Sequence, residues 1–312
     1  MKKLIIAGGS GFIGKNISQH FKDKGYSVTV FTRGNSIIRD GIQYLSWDAK
    51  NLGPWTIELE AADLVINLTG KSVDCRYTKA NKQEILNSRV DSTKIIGKAI
   101  QKCKIPPKLW INSSTATIYR YSLDKAMTED NGQFGNDFSM NVAKAWEDAF
   151  FTCSTPSTRK VALRISLVLG KNEGVLPVLT RLTKLGFGGK HGNGKQKFAW
   201  IHIADLISII DFLETNNDQE GAINCTAPET IDNRCFMRTL RHTVHAPFGI
   251  PTPKWMLVIG TFFLRTEPEL ILKSRFVKPK RLLDAGFIFK FDNVELALHN
   301  LIHEQKETYY TL

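Results

Sequence analysis

Gly8, Gly11 and Gly14 stand three residues apart, between an apolar run and the start of a helical pattern. The chemistry such a spacing serves is the holding of a diphosphate. Gly8 permits the tight turn, Gly11 lets backbone N–H groups approach the phosphates, and Gly14 lets helix and strand pack closely. Ser10, Phe12 and Ile13 belong to the same turn, and the diphosphate would rest on the positive end of the following helix. A lone GxxGxxG carries little weight. Here Leu4 to Ala7 reads as a buried strand before it and Phe12 to Lys24 as a helix after it, which is the context the motif needs. The next strand pattern, Tyr26 to Phe31, ends at Thr32-Arg33-Gly34. An acid at that strand end would accept from the ribose 2′-hydroxyl of NAD. Arg33 instead offers a planar donor fork that suits a 2′-phosphate, so NADP(H) is the expected cofactor.

A parallel sheet with crossover helices must position such a turn. Strand patterns at Lys3–Ala7, Ser27–Phe31, Gln43–Ser46, Leu64–Leu68, Leu109–Asn112 and Lys160–Ile165 alternate with helical ones. Glu220–Cys225 supplies a seventh. The pattern predicts an α/β, doubly wound Rossmann sheet of about seven strands. A long helix is expected at about Asn81–Lys102, with Pro106-Pro107 ending its connection, and another at about Ser139–Phe151. After Gly170 a loop rich in glycine and lysine leads to Trp200-Ile201-His202-Ile203-Ala204-Asp205, where Asp205 reads as a helix N-cap. From Asp232 onward the chain reads as mostly helical with proline breaks. Residues 1–170 with about 202–227 are expected to form the nucleotide-binding domain. Residues of about 171–201 with 228–312 would form a small, mostly helical lobe over the carboxyl edge of the sheet, where ligands bind in open α/β folds.

Composition narrows the function classes. The 312 residues carry a formal net charge of +12, which suits phosphate-bearing ligands. No basic run interleaves with aromatics, so nucleic acid is not an expected partner. The five cysteines, Cys75, Cys103, Cys153, Cys225 and Cys235, share no CxxC spacing and read as reduced thiols. The apolar stretch after Met1-Lys2-Lys3 is too short for a signal peptide, and Trp255–Leu264 is too short to span a bilayer. A cytoplasmic protein with no membrane partner is expected.

GGSGFIG, VFTRG, DLVINLTG, NSSTATIY, LRISLVLG and WIHIADL, in that order and spacing, resemble an extended short-chain dehydrogenase/reductase of the NAD(P)-dependent epimerase type. KQEILNSRVDST, Trp146-Glu147, GNGKQKFAWIHIAD and KPKRLLDAGFIFKF resemble one atypical branch, which carries a short C-terminal domain of unknown function. The likeness runs end to end. It implies a Rossmann fold with NADP(H) bound, Asp48 at the adenine amino group and Leu68-Thr69-Gly70 at the adenosine ribose. Ser113 and Arg164 join that cofactor set. Family members often pair through their long helices, which makes a homodimer one expected assembly.

Active members of the wider family use a Ser or Thr hydroxyl, a proton-transferring Tyr, and a Lys four residues after it. On a helix, positions i and i+4 share a face, so the ammonium can lower the phenol pKa. Thr115 stands where the hydroxyl would polarise a substrate carbonyl, but the YxxxK element is missing. Lys144 has Met140 four residues before it, and alignment through Glu147 gives Ser139 and Ala143 instead. Tyr119, four residues past Thr115, is the candidate proton donor, against a role as an apolar wall; Lys144 is the candidate ammonium, against a role as a solvated helix residue. Lys71, Arg76, Arg89 and the loop at Lys195-Gln196 are the candidate contacts for a small anionic substrate. His202 is a further candidate, with a structural hydrogen bond beside Trp200 as its competing role. The leading expectation is hydride transfer at nicotinamide C4. The rival is a protein that binds NADPH and turns over nothing, as a redox sensor or regulatory partner. His242 with His245 and His299 with His303 could each share a metal, but neither pair has a further ligand at suitable sequence spacing, so no metal is expected.

Overall fold

The computed structural model describes residues 1–257 and 272–304. The stretch 258–264 of the apolar run Trp255–Leu264 lies outside the described residues. Branched and aromatic residues build a central sheet from β1 (Lys3–Ala7), β2 (Ser27–Thr32), β3 (Ile37–Arg39), β4 (Ile42–Ser46), β5 (Leu64–Asn67), β6 (Leu109–Thr115) and β7 (Arg159–Ile165). Three strands of the next segment, β8 (Leu167–Leu169), β9 (Lys197–Phe198) and β10 (Trp200–His202), lie outside it, and β11 (Gly221–Cys225) returns to its edge. The order across the eight-stranded sheet is β11-β7-β6-β5-β1-β2-β4-β3, parallel throughout except for β3. The order reverses between β1 and β5, the crevice where such sheets take ligands.

The sheet has one strand more than the pattern predicts. β3 and β4 form a hairpin across Asp40-Gly41, both at positive φ (50° and 72°), the two-residue turn that matches the twist of antiparallel strands. β3 is short and fully exposed, so it lacks the apolar alternation that marks the other strands.

Helices α1 (Phe12–Asp23) and α5 (Ile203–Thr215) cover one face of the sheet, packed through Ile17, Phe21, Leu206, Ile209 and Leu213. The helix α2 (Lys79–Ile100) covers the other face, where Ile96 and Ile100 meet Trp110 and Val65; α3 (Phe138–Phe151) joins it through Phe150. Beyond the carboxyl edge, α4 (Leu176–Leu182), α6 (Asn233–Thr243) and a helix at Val294–His303 bury Trp200, Phe236 and Leu298 together. The N-cap of α5 is His202 rather than Asp205. Asp205 sits one turn in and accepts the backbone N–H groups of Lys290 and Phe291, tying the C-terminal segment to the sheet. All five cysteines are unpaired thiols.

Candidate functional site

The β1–α1 turn is shaped by what its glycines exclude. Gly8 has φ +73°, and a Cβ there would lie 2.8 Å from the Thr69 backbone. A Cβ at Gly14 would lie 2.4 Å from Gly9, whereas one at Gly11 would meet nothing within 4 Å. Ser10 and Gly11 are exposed, and no side chain caps the first turn of α1. The backbone N–H groups at this helix start are therefore open to an anion. Phe12 leans away on Gly170, while Ile13 continues into a cavity. Across the crevice, Thr69 Oγ1 is buried and makes no hydrogen bond among the described residues, which fits a ligand-facing hydroxyl. Arg33 follows β2 directly and is exposed. Asp48 is exposed too; its carboxylate takes the N–H groups of Asn51 and Lys50, which hold its pKa down to about 2. These residues fit a dinucleotide lying across the carboxyl edge, diphosphate at Gly11 and 2′-phosphate toward Arg33.

The crevice opens into a cavity of about 520 Å³. Its walls are Leu68 and Gly70–Val73 after β5, Ser113–Thr115 at the end of β6, residues 165–168, and one face of α3. A buried polar network holds these walls. Asn67 Nδ2 donates to Asn112 Oδ1 (2.8 Å), Asn67 Oδ1 accepts from the Thr69 N–H (3.0 Å), and Trp146 Nε1 donates to Thr93 Oγ1 (3.0 Å). Thr115 lines the cavity and its Oγ1 accepts from the Thr117 N–H (3.1 Å), so its hydroxyl proton remains available to donate. Arg89 lies on the α2 side, and Lys71 beside it is paired with Glu84.

Several expected contacts lie elsewhere. Tyr119 is buried behind the wall: its hydroxyl donates to Asn224 Oδ1 (2.9 Å) and accepts from Arg164 Nη1 (2.7 Å). Burial pushes its pKa up, and it does not line the cavity. Arg164 is likewise shut in, held by Glu147 through Nε (2.8 Å) and Nη2 (2.7 Å), while Glu147 Oε1 also accepts from Ser114 Oγ (2.6 Å). Arg164 is thus a strut behind the wall rather than a cofactor contact. Lys144 points along α3 to Asn136 Oδ1 (2.8 Å), because one residue turns a helix by about 100°. Ser139 and Ala143 occupy the cavity face of α3, the alignment that runs through Glu147. His202 is fully buried, capping Ala204 N through Nδ1 (3.0 Å), bonding Asn300 (3.1 Å) and stacking on Phe291; burial lowers its pKa to about 3. Gln196 is buried against the His191 carbonyl, and Lys195 is exposed; neither lines the cavity. Arg76 is not among the residues that line the cavity. Tyr77, Phe138 and Trp146 do line it, unforeseen because nothing in their sequence spacing distinguishes a cavity aromatic from a core one.

His242, His245, His299 and His303 share a second groove of about 340 Å³ with Glu295. Among the described residues no group of three His, Cys, Asp or Glu side chains is arranged to hold a metal.

Residues 4–226 match the model of the NAD dependent epimerase/dehydratase family. The chain belongs to that family. Residues 252–301 match a domain of unknown function, DUF1731. Epimerase family protein YfhF of Bacillus subtilis is 32% identical over 306 residues, 97% of this chain and 99% of that protein. The crystal structure of human epimerase family protein SDR39U1 (isoform 2) with NADPH superposes with a TM-score of 0.87, at 30% identity over 97% of this chain and 100% of that one. A nucleoside-diphosphate sugar epimerase from Corynebacterium glutamicum superposes at 0.78 with 25% identity, covering 97% of this chain and 59% of its own. The cavity face of α3 carries Ser139 and Ala143, with no tyrosine and lysine four residues apart.

Proposed function

We propose that this chain binds NADP(H) across the carboxyl edge of its sheet and moves a hydride between nicotinamide C4 and a small anionic substrate in the 520 Å³ cavity. The observation that carries the reading is continuity. The glycine turn, Leu68, Gly70 and Ser113–Thr115 lead from a diphosphate cradle into a half-open cavity lined by hydroxyls, a guanidinium and apolar side chains. The NADPH bound to human SDR39U1 supports the cofactor, as does the placement of Arg33 at the end of β2. Bound there, the cofactor would supply the hydride. Thr115 donates a hydrogen bond from its hydroxyl to the substrate carbonyl oxygen, keeps its own proton, and steadies the charge that develops there. Tyr77 is the tyrosine that lines the cavity among the described residues, and we assign it the proton. Hydride and proton together convert a carbonyl to an alcohol.

Thr115→Val tests this with a panel of small keto acids and NADPH. The expected outcome is loss of NADPH consumption with NADPH affinity kept within a few-fold. Unchanged turnover would rule out the role of Thr115.

The Ser139/Ala143 face of α3 favours a second reading, a redox sensor that binds the cofactor without turnover. A sensor needs conformations that differ in affinity for the two redox states. NADPH and NADP⁺ would then give different protease-protection patterns in the C-terminal segment, and identical patterns would oppose it.

A further inference from the structure

Arg89 is placed to hold a negative charge that the protein itself does not supply. Its Nη1 donates to the Lys71 and Ile85 carbonyls, both at 3.0 Å, and its guanidinium lies 5.1 Å from the Trp146 ring centre. Gly70 presses against it: a Cβ there would come within 2.9 Å of the Arg89 Cζ. The side chain is thus fixed rather than free to follow solvent. Desolvation lowers its pKa to about 10, which still leaves it cationic at neutral pH. No acidic residue lines the cavity among the described residues, and the other lining cation, Lys71, is drawn off to Glu84. A desolvated cation facing a space without a counter-charge is costly unless an anion enters.

The shape of the space says which anion. With Nη1 spent on two backbone carbonyls, Arg89 keeps Nε and Nη2 as donors, an edge that matches two carboxylate oxygens. A phosphate brings three acceptor oxygens and up to two charges, which one guanidinium edge would leave under-satisfied. The guanidinium lies against Trp146, and Val73, Ile85, Phe138 and Val142 join that ring in the lining as apolar side chains. Hydroxyls of a sugar set against these apolar side chains would lack partners on that side, at a cost for each.

We infer that Arg89 and these apolar side chains form a subsite for the carboxylate of a small monoanion with an apolar, aromatic-sized body, and not for a nucleotide-sugar. The inference rests on the reading that the cavity is the substrate chamber of an NADP(H) site, and it deepens that reading.

The test uses the full chain saturated with NADP⁺, titrated calorimetrically with phenylacetate, its neutral amide phenylacetamide, inorganic phosphate and UDP. Phenylacetate is expected to bind, with the amide weaker by about 10- to 100-fold, the worth of a charge-assisted hydrogen bond. Arg89→Met should lose phenylacetate binding to the same degree while NADP⁺ affinity stays within a few-fold. Phosphate and UDP should give no heat that phenylacetate competes away. Equal binding of acid and amide overturns the assignment without needing any variant, as does no phenylacetate binding or competition by UDP. Phenylacetate binding that Arg89→Met leaves intact overturns it as well. Failure of the hydride-transfer reading looks different: phenylacetate binds through Arg89, yet no keto acid consumes NADPH.

Discussion

Arg33 leaves β2 with its guanidinium exposed, where the 2′-substituent of an adenosine ribose would lie in a fold of this order. Arg33→Asp exchanges a donor fork for an acceptor, so the preference for NADPH over NADH should reverse in a fluorescence titration. Equal affinities of the wild type for the two cofactors would contradict the assignment. A second test concerns the wall behind the cavity. Glu147 and Arg164 are both almost fully buried and bonded through two contacts. Glu147→Gln should cost about 3–5 kcal/mol in urea unfolding, because it strands a buried guanidinium. Tyr119→Phe should leave cofactor affinity and turnover unchanged, since the phenol faces Arg164 and Asn224 instead of the cavity. In the sequence Tyr119 stands out because it follows Thr115 by four residues. Its real partners lie 45 and 105 residues away, a distance at which spacing carries no signal.

At the scale of elements, the parallel strands are legible because each is a short run of buried branched residues bounded by turns. Six of the seven expected strands begin and end within a residue or two of the observed ones, and β6 runs on to Thr115, carrying Ser113 and Ser114 into the cavity wall. The β3–β4 hairpin is hard to read from the sequence because exposed β3 lacks alternation, although Asp40-Gly41 marks its turn. The phase of α3 was readable only as a pair of alternatives. The buried Glu147–Arg164 contact chooses between them and turns Ser139 and Ala143, not Lys144, to the cavity. The start of α5 carries a pH prediction. His202 caps it as a neutral, fully buried ring whose pKa falls from 6.5 to about 3. Above pH 6.5 the ring is neutral folded or unfolded and adds no pH dependence. Below it, the unfolded chain takes a proton that the folded ring refuses, so stability is lost as pH falls from about 6.5 toward 3. His202→Asn keeps a capping acceptor and removes the titration. Its melting temperature should therefore fall less than that of the wild type between neutral and mildly acidic pH; parallel curves would contradict the role given to the ring.

Over the whole molecule, the sheet order, the switch between β1 and β5 and the overlying helices place every proposed contact at one carboxyl edge. The fold and the glycine turn are legible because they depend on local patterns, apolar runs and glycine spacing. The cavity is not, because its walls come from the β5–α2 connection, α2, β6, the 165–168 segment and α3, and their meeting is a property of the tertiary structure. Cofactor binding should act on the whole fold. At a hundredfold excess over its Kd, NADPH is expected to add about 2.7 kcal/mol to stability, read as a rise in melting temperature; NADH at the same concentration should add less.

The most direct test of the account is a crystal structure of the chain with NADP⁺ bound. The account predicts the diphosphate on the Gly8–Gly14 turn, the 2′-phosphate at Arg33, and nicotinamide C4 facing the cavity between Thr115 and Arg89, with Thr115 Oγ1 in reach of a substrate oxygen. A nicotinamide turned away from that space, or a cavity closed by side chains once the cofactor is in place, would contradict hydride transfer there.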